Sequence, residues 1–162
     1  MYLIINNSYG TEKAKATPKL INYFKKNNIP HSVINTKKQL TNYINKKILG
    51  IILSGSDLSY AEKVCSNKIN INIMALLEFN VPILGICFGF QTIGLFYGGT
   101  ISKLNNLNKG KQEITLKKNE LFYNIDNSIF YQYHNDYLKE VPHNFLIIAK
   151  YNQIVNGIKH KY

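Results

Sequence analysis

A short apolar run, Val81 to Ile86, leads directly into Gly85-Ile86-Cys87-Phe88-Gly89-Phe90-Gln91, where helical spacing takes over. A buried strand that becomes a helix within one residue leaves that residue in a tight, strained conformation, its side chain raised above the sheet. Glycines two before and two after Cys87 remove the Cβ atoms that would clash in so sharp a turn. The helix N-terminus favours a thiolate at Cys87, and the Phe88 N–H is placed to donate to an oxyanion. A free cysteine is most often a small buried hydrophobe. The two glycines, Gln91 and the strand–helix context together point instead to a nucleophile. Cys65 has no such setting and reads as structural.

The rest of the chain alternates apolar runs with helical stretches, the pattern of an α/β domain around a largely parallel sheet. Tyr2 to Ile5, His31 to Asn35 and Ile48 to Leu53 read as strands. Thr17 and Pro18 read as a helix start, and a Lys-rich amphipathic helix is expected from about Lys37 to Lys46. Ile69 to Phe79 mixes alternation with helical spacing, and its place between two strands favours a helix. The helix after Cys87 runs to Tyr97 and closes at Gly98-Gly99. Beyond it the chain is β-rich: 100–103, 111–116, 129–133, 145–150 and 154–159, with 103–111 read as a loop. No linker long enough to divide domains appears, so residues 1–162 are expected to form one domain.

A formal charge of +11 invites a nucleic-acid reading. Against it, every basic residue is lysine, with no arginine for bidentate contacts, and the lysines are spread along the chain. A solvated basic surface is the better account, with no specific nucleic-acid partner. Two cysteines make no disulfide framework, and four scattered histidines make no zinc site, so neither metal nor cofactor is expected. No apolar run is long enough to span a bilayer, and the N-terminus lacks the pattern of a signal peptide. A cytoplasmic protein without membrane association is the expectation.

Gly-x-Cys-x-Gly-x-Gln between a strand and a helix resembles the nucleophile segment of class I, triad-type glutamine amidotransferases. Ile51 to Ser59 resembles the family's oxyanion loop, and Tyr133-His134-Asn135-Asp136 its Ser-His-Gly-Asp segment, most like the GMP-synthase type. The resemblance implies a flavodoxin-like three-layer α/β fold with a β-rich C-terminal half. It also implies that Cys87 attacks the side-chain amide of L-glutamine, releases ammonia and leaves a thioester for water to resolve. The oxyanion hole would come from backbone N–H groups of Phe88 and of the Gly55/Ser56 loop. Gln91 and the backbone around Tyr133, His134 and Asn135 would hold the glutamine.

The same resemblance exposes departures. Ser56 and Asp57 stand where the family has Gly and Pro, which restricts the loop and brings a carboxylate toward developing negative charge. The family's His-x-Glu segment would follow Asn156 to Tyr162, so the triad is expected to lack its His and Glu and turnover to be impaired. His134 is a tempting surrogate base, although its family counterpart does not act as one. The C-terminal edge is expected to be open or covered by a second chain. Two functions follow: a glutaminase feeding ammonia to a synthetase partner, or an inactive homologue that binds a partner or forms a homo-oligomer. A γ-glutamyl hydrolase relative needs the same distal histidine, and a basic nucleic-acid module is the weakest reading.

Overall fold

The computed structural model describes residues 1–9, 16–57, 59, 66–125 and 128–161. They fall into two compact units, Met1–Ile93 and Gly94–Tyr162. Cys65 lies outside the described residues.

In the first unit, β1 (Tyr2–Ile5), β2 (His31–Ile34), β3 (Gly50–Leu53) and β4 (Ile83–Gly85) form a parallel sheet in the order β2-β1-β3-β4. α1 (Ala16–Lys26), α2 (Lys37–Thr41) and α3 (Ser66–Glu78) link successive strands. Leu3, Ile5, Ile51 and Leu53 face Leu40 of α2 and Ile71 and Ala75 of α3. Ile4 and Ile52 face Phe24 of α1, whose ring meets Tyr2 edge-on at 5.8 Å. Apolar surface on both faces is why β3 is buried throughout and reads as an unbroken apolar run.

The ambiguous 69–79 segment is helical, as its place between strands suggests, whereas the helix expected to reach Lys46 ends at Thr41. Its start is a capping box: Thr36 accepts from the Gln39 N–H, and Gln39 reaches back to the Thr36 N–H. Thr17 does not cap its helix, because α1 already includes Ala16. Its hydroxyl donates instead to Ser54 Oγ at 3.1 Å.

α4 (Phe88–Phe96) follows β4 and closes where Gly98 takes φ 92°, with Gly99 N–H donating to Gly94 O at 2.8 Å. The second unit is an antiparallel sheet of β5 (Thr100–Glu113), β6 (Thr115–Leu116), β7 (Ile129–Glu140), β8 (Phe145–Tyr151) and β9 (Ile154–His160). Its order is β5-β7-β9-β8-β6.

One expectation is corrected here. Residues 103–111 are not a loop but part of β5, because pairing with β7 overrides the poor strand propensity of Asn and Lys. The register slips between Lys103 and Asn108, so the weak stretch is absorbed as a bulge. The last strand, β9, is itself paired on both sides, between β7 and β8, while β4 remains an edge of the parallel sheet. His160, at its end, packs against Phe145 and Tyr97 with ring centroids 5.0 and 5.7 Å away.

Candidate active site

Cys87 is the junction between β4 and α4, and its φ is +51°. Among the described residues the other non-glycine ones with positive φ are asparagines, which tolerate that region; a cysteine there carries roughly 1–2 kcal/mol of strain. The backbone is held to this shape from several sides. Ile86 N–H donates to Leu53 O at 2.9 Å, Gly89 N–H to Ile86 O at 3.0 Å, and Gln91 N–H to Cys87 O at 2.9 Å. In the first turn of α4, Phe88 O accepts from the Thr92 hydroxyl, which accepts in turn from the Asn72 amide of α3.

The flanking glycines are explained by close approach. A Cβ on Gly85 would stand 2.6 Å from Gly89 C and Phe90 N. One on Gly89 would stand 2.6 Å from Leu53 Cβ and closer still to the Leu53 carbonyl oxygen. The result is a raised side chain: Cys87 is an exposed thiol outside any disulfide, which excludes the buried-hydrophobe reading.

The loop after β3 lies beside this thiol. A Cβ on Gly55 would come 3.4 Å from Cys87 Cβ, so glycine lets the loop backbone approach the nucleophile. The buried Ser54 anchors that loop. Its Oγ accepts from the Asn7 N–H at 2.9 Å, and its carbonyl accepts from the Asn7 side-chain amide at 2.7 Å. Asp57 is also committed, since its carboxylate accepts from the Tyr9 N–H at 2.8 Å.

Cys87, Gly55, Ser56, Phe88 and Gln91 therefore all belong to the first unit, with Gln91 buried one turn beyond Cys87. Tyr133, His134 and Asn135 belong to β7 of the second unit. There Tyr133 is exposed, with Lys109 Nζ 5.9 Å from its ring centre. His134 faces the opposite side, where the Asn108 amide is 3.1 Å from Nε2 and the Asp136 carbonyl 3.0 Å from Nδ1. An amide donor on Nε2 and a carbonyl on Nδ1 fix the neutral tautomer protonated at Nδ1. Gln112 holds the orientation of Asn108 by donating to its side-chain oxygen.

Sequence alone could not show that the Nε2 lone pair of His134 is occupied. The signal lies in a cross-strand register, Asn108 opposite His134, across a segment read as a loop. Burial pushes the His134 pKa below the ordinary histidine value, against the opposing pull of the Asp136 carbonyl and carboxylate. Below about pH 6.5 the unfolded chain takes up a proton that the folded chain resists, so stability falls as pH falls through that window. Urea midpoints measured from pH 7.5 to 5.5 should decline in the natural chain, and His134→Gln should make the decline shallower.

Among the described residues, no helix is long and apolar enough to cross a membrane. Nor does any cluster of His, Cys, Asp or Glu there suit a metal ion.

Comparison with known proteins agrees with this geometry. Residues 3–162 match the family Glutamine amidotransferase class-I. The glutamine-hydrolyzing GMP synthase subunit of Methanococcus aeolicus is 35% identical, over 99% of this chain and 81% of that protein. The glutamine-hydrolyzing GMP synthase of Borreliella burgdorferi is 37% identical over 65% of this chain but only 20% of its own length. The chain thus spans about a fifth of the single-chain synthases that it matches. A crystal structure described as that of a GMP synthase subunit from Thermoplasma acidophilum superposes with a TM-score of 0.82 at 21% identity. The superposition covers 99% of this chain and 77% of that one. The chain belongs to the class I glutamine amidotransferase family.

Proposed function

We propose that this chain is a glutaminase component that hydrolyses L-glutamine through a Cys87 thioester and passes ammonia to a synthetase partner. The observation that supports this best is the exposed thiol held at φ +51° beside the glycine of the β3 loop. Cys87 Sγ adds to the side-chain amide carbon. The oxyanion is received by backbone N–H groups of Phe88 and the Gly55/Ser56 loop. The C–N bond then breaks, a proton goes to nitrogen, and ammonia departs. Water cleaves the thioester to glutamate and restores the thiol. Gln91, Tyr133, His134 and Asn135 are assigned to holding the glutamine. The synthetase is of the GMP-synthase type, in keeping with the names of the relatives.

Proton supply limits this reaction. His31 is the only histidine in the first unit, and it starts β2, at the opposite end of the sheet from Cys87. Three strand spacings separate β2 from β4, about 14 Å. His134, with both ring nitrogens engaged, is a positioning group rather than the base. Turnover of the amide by this chain alone is therefore slow. The same observation favours a second reading, a domain that binds a partner without turnover.

Ammonia release from L-glutamine by the purified chain tests the first reading, with Cys87→Ala as control. A slow release that the substitution abolishes is expected. Release equal to the control would replace this reading with the second.

A further inference from the structure

The β3 loop carries Asp57 where a proline would stiffen it, and a half-buried cation lies near the same corner. Lys68 lies in the first turn of α3, the end of a helix where positive charge is least favourable. Burial lowers the pKa of its ammonium, and the Asp57 carboxylate pushes it back up. A lysine placed against both the helix dipole and its own hydration calls for a compensating role, and its contacts supply one. Lys68 Nζ donates to Asn6 O, just past β1, at 2.7 Å and reaches Asn35 O, just past β2, at 3.5 Å. Asp57, just past β3, accepts from the Tyr9 N–H at 2.8 Å. The ammonium also lies 5.7 Å from the centre of the Tyr9 ring.

Through Asn6, Asn35 and Tyr9, Lys68 and Asp57 thus gather the chain beyond the carboxyl ends of three adjacent strands. In the order β2-β1-β3-β4 the chain leaves β1 toward one side and β3 toward the other, so this is where the sheet's connections diverge. At such a crevice loops are free to separate unless something ties them. The tied loop is the one whose Gly55 abuts Cys87.

We propose that Asp57 and Lys68 are positioning residues that fix the oxyanion loop across the β1/β3 crevice, doing with side-chain hydrogen bonds what a rigid residue would do by backbone restriction. The inference rests on the proposed function only in naming the loop's role. One oxygen of the carboxylate is engaged by the Tyr9 amide.

The test compares two reactions of Cys87. The γ-(4-nitrophenyl) ester of L-glutamate acylates through an oxyanion, and its phenolate leaves without a proton donor. Iodoacetamide alkylates the thiol by displacement and forms no oxyanion. Asp57→Ala is expected to slow acylation about tenfold and leave alkylation within about twofold of the natural chain. Asp57→Asn keeps an acceptor for Tyr9 and should restore most of the lost rate. Amide exchange of the peptide spanning 50–57 should accelerate in Asp57→Ala. Unchanged acylation in Asp57→Ala, or both reactions slowing together, would overturn the proposal. If the natural chain is not acylated at all, the glutaminase reading fails and exchange decides: lost protection supports the tie, and unchanged protection overturns it.

Discussion

Alanine at position 89 is expected to destabilise the chain by about 3 kcal/mol or more, among the largest effects of any single methyl group here. The added Cβ would fall 2.6 Å from Leu53 Cβ and 2.7 Å from Leu53 C, and neither β3 nor α4 can yield easily. Leu53 is fully buried, and its carbonyl already accepts from Ile86 N–H at 2.9 Å. Moving α4 outward would break that bond and unseat the Thr92–Asn72 contact that ties α4 to α3. At 162 residues a loss of this size lowers the melting temperature by about 10 °C. Gly98→Ala provides the contrast. Nothing lies within 4 Å of its added Cβ, and its cost is the φ of 92° alone, about 1 kcal/mol. Equal melting temperatures for the two variants would mean that Gly89 is not pinched between strand and helix.

The elbow was legible because every signal for it is local. Gly85, Cys87 and Gly89 lie within five residues, and their spacing alone implies a strand meeting a helix in one step. The parallel sheet was legible for a related reason: strands buried on both faces read as unbroken apolar runs, as in 50–53. What escaped is what depends on partners far along the chain. Thr17 looked like a helix cap, yet its hydroxyl serves Ser54, 37 residues away. Asp57 looked like an obstacle to the oxyanion, and its tie to Tyr9 spans 48 residues. Lys68 gave no signal at all, being one of 20 lysines. Residues 103–111 carry no strand pattern of their own and become one only against β7. The His134 network depends on that same pairing, so misreading the loop also hid that both ring nitrogens are engaged.

The second large effect concerns Cys87 itself. A thiol on a helix N-terminus, exposed and beside loop amides, is equipped for the first half of amide hydrolysis: attack and oxyanion formation. The second half, protonating the leaving nitrogen, is where the first unit offers no nearby imidazole. An ester with a good leaving group separates the two halves. Removing the nucleophile should erase acylation entirely, because water in the same hole is a far weaker nucleophile than a thiolate.

The most direct measurement is therefore the burst of 4-nitrophenolate from the γ-(4-nitrophenyl) ester of L-glutamate, with intact-mass analysis of the quenched protein. The expected result is about one nitrophenolate per chain, one γ-glutamyl adduct mapped to Cys87, and neither in Cys87→Ala. A natural chain that shows no burst, or that carries its adduct at Cys65, would contradict the assignment of Cys87 as an activated nucleophile.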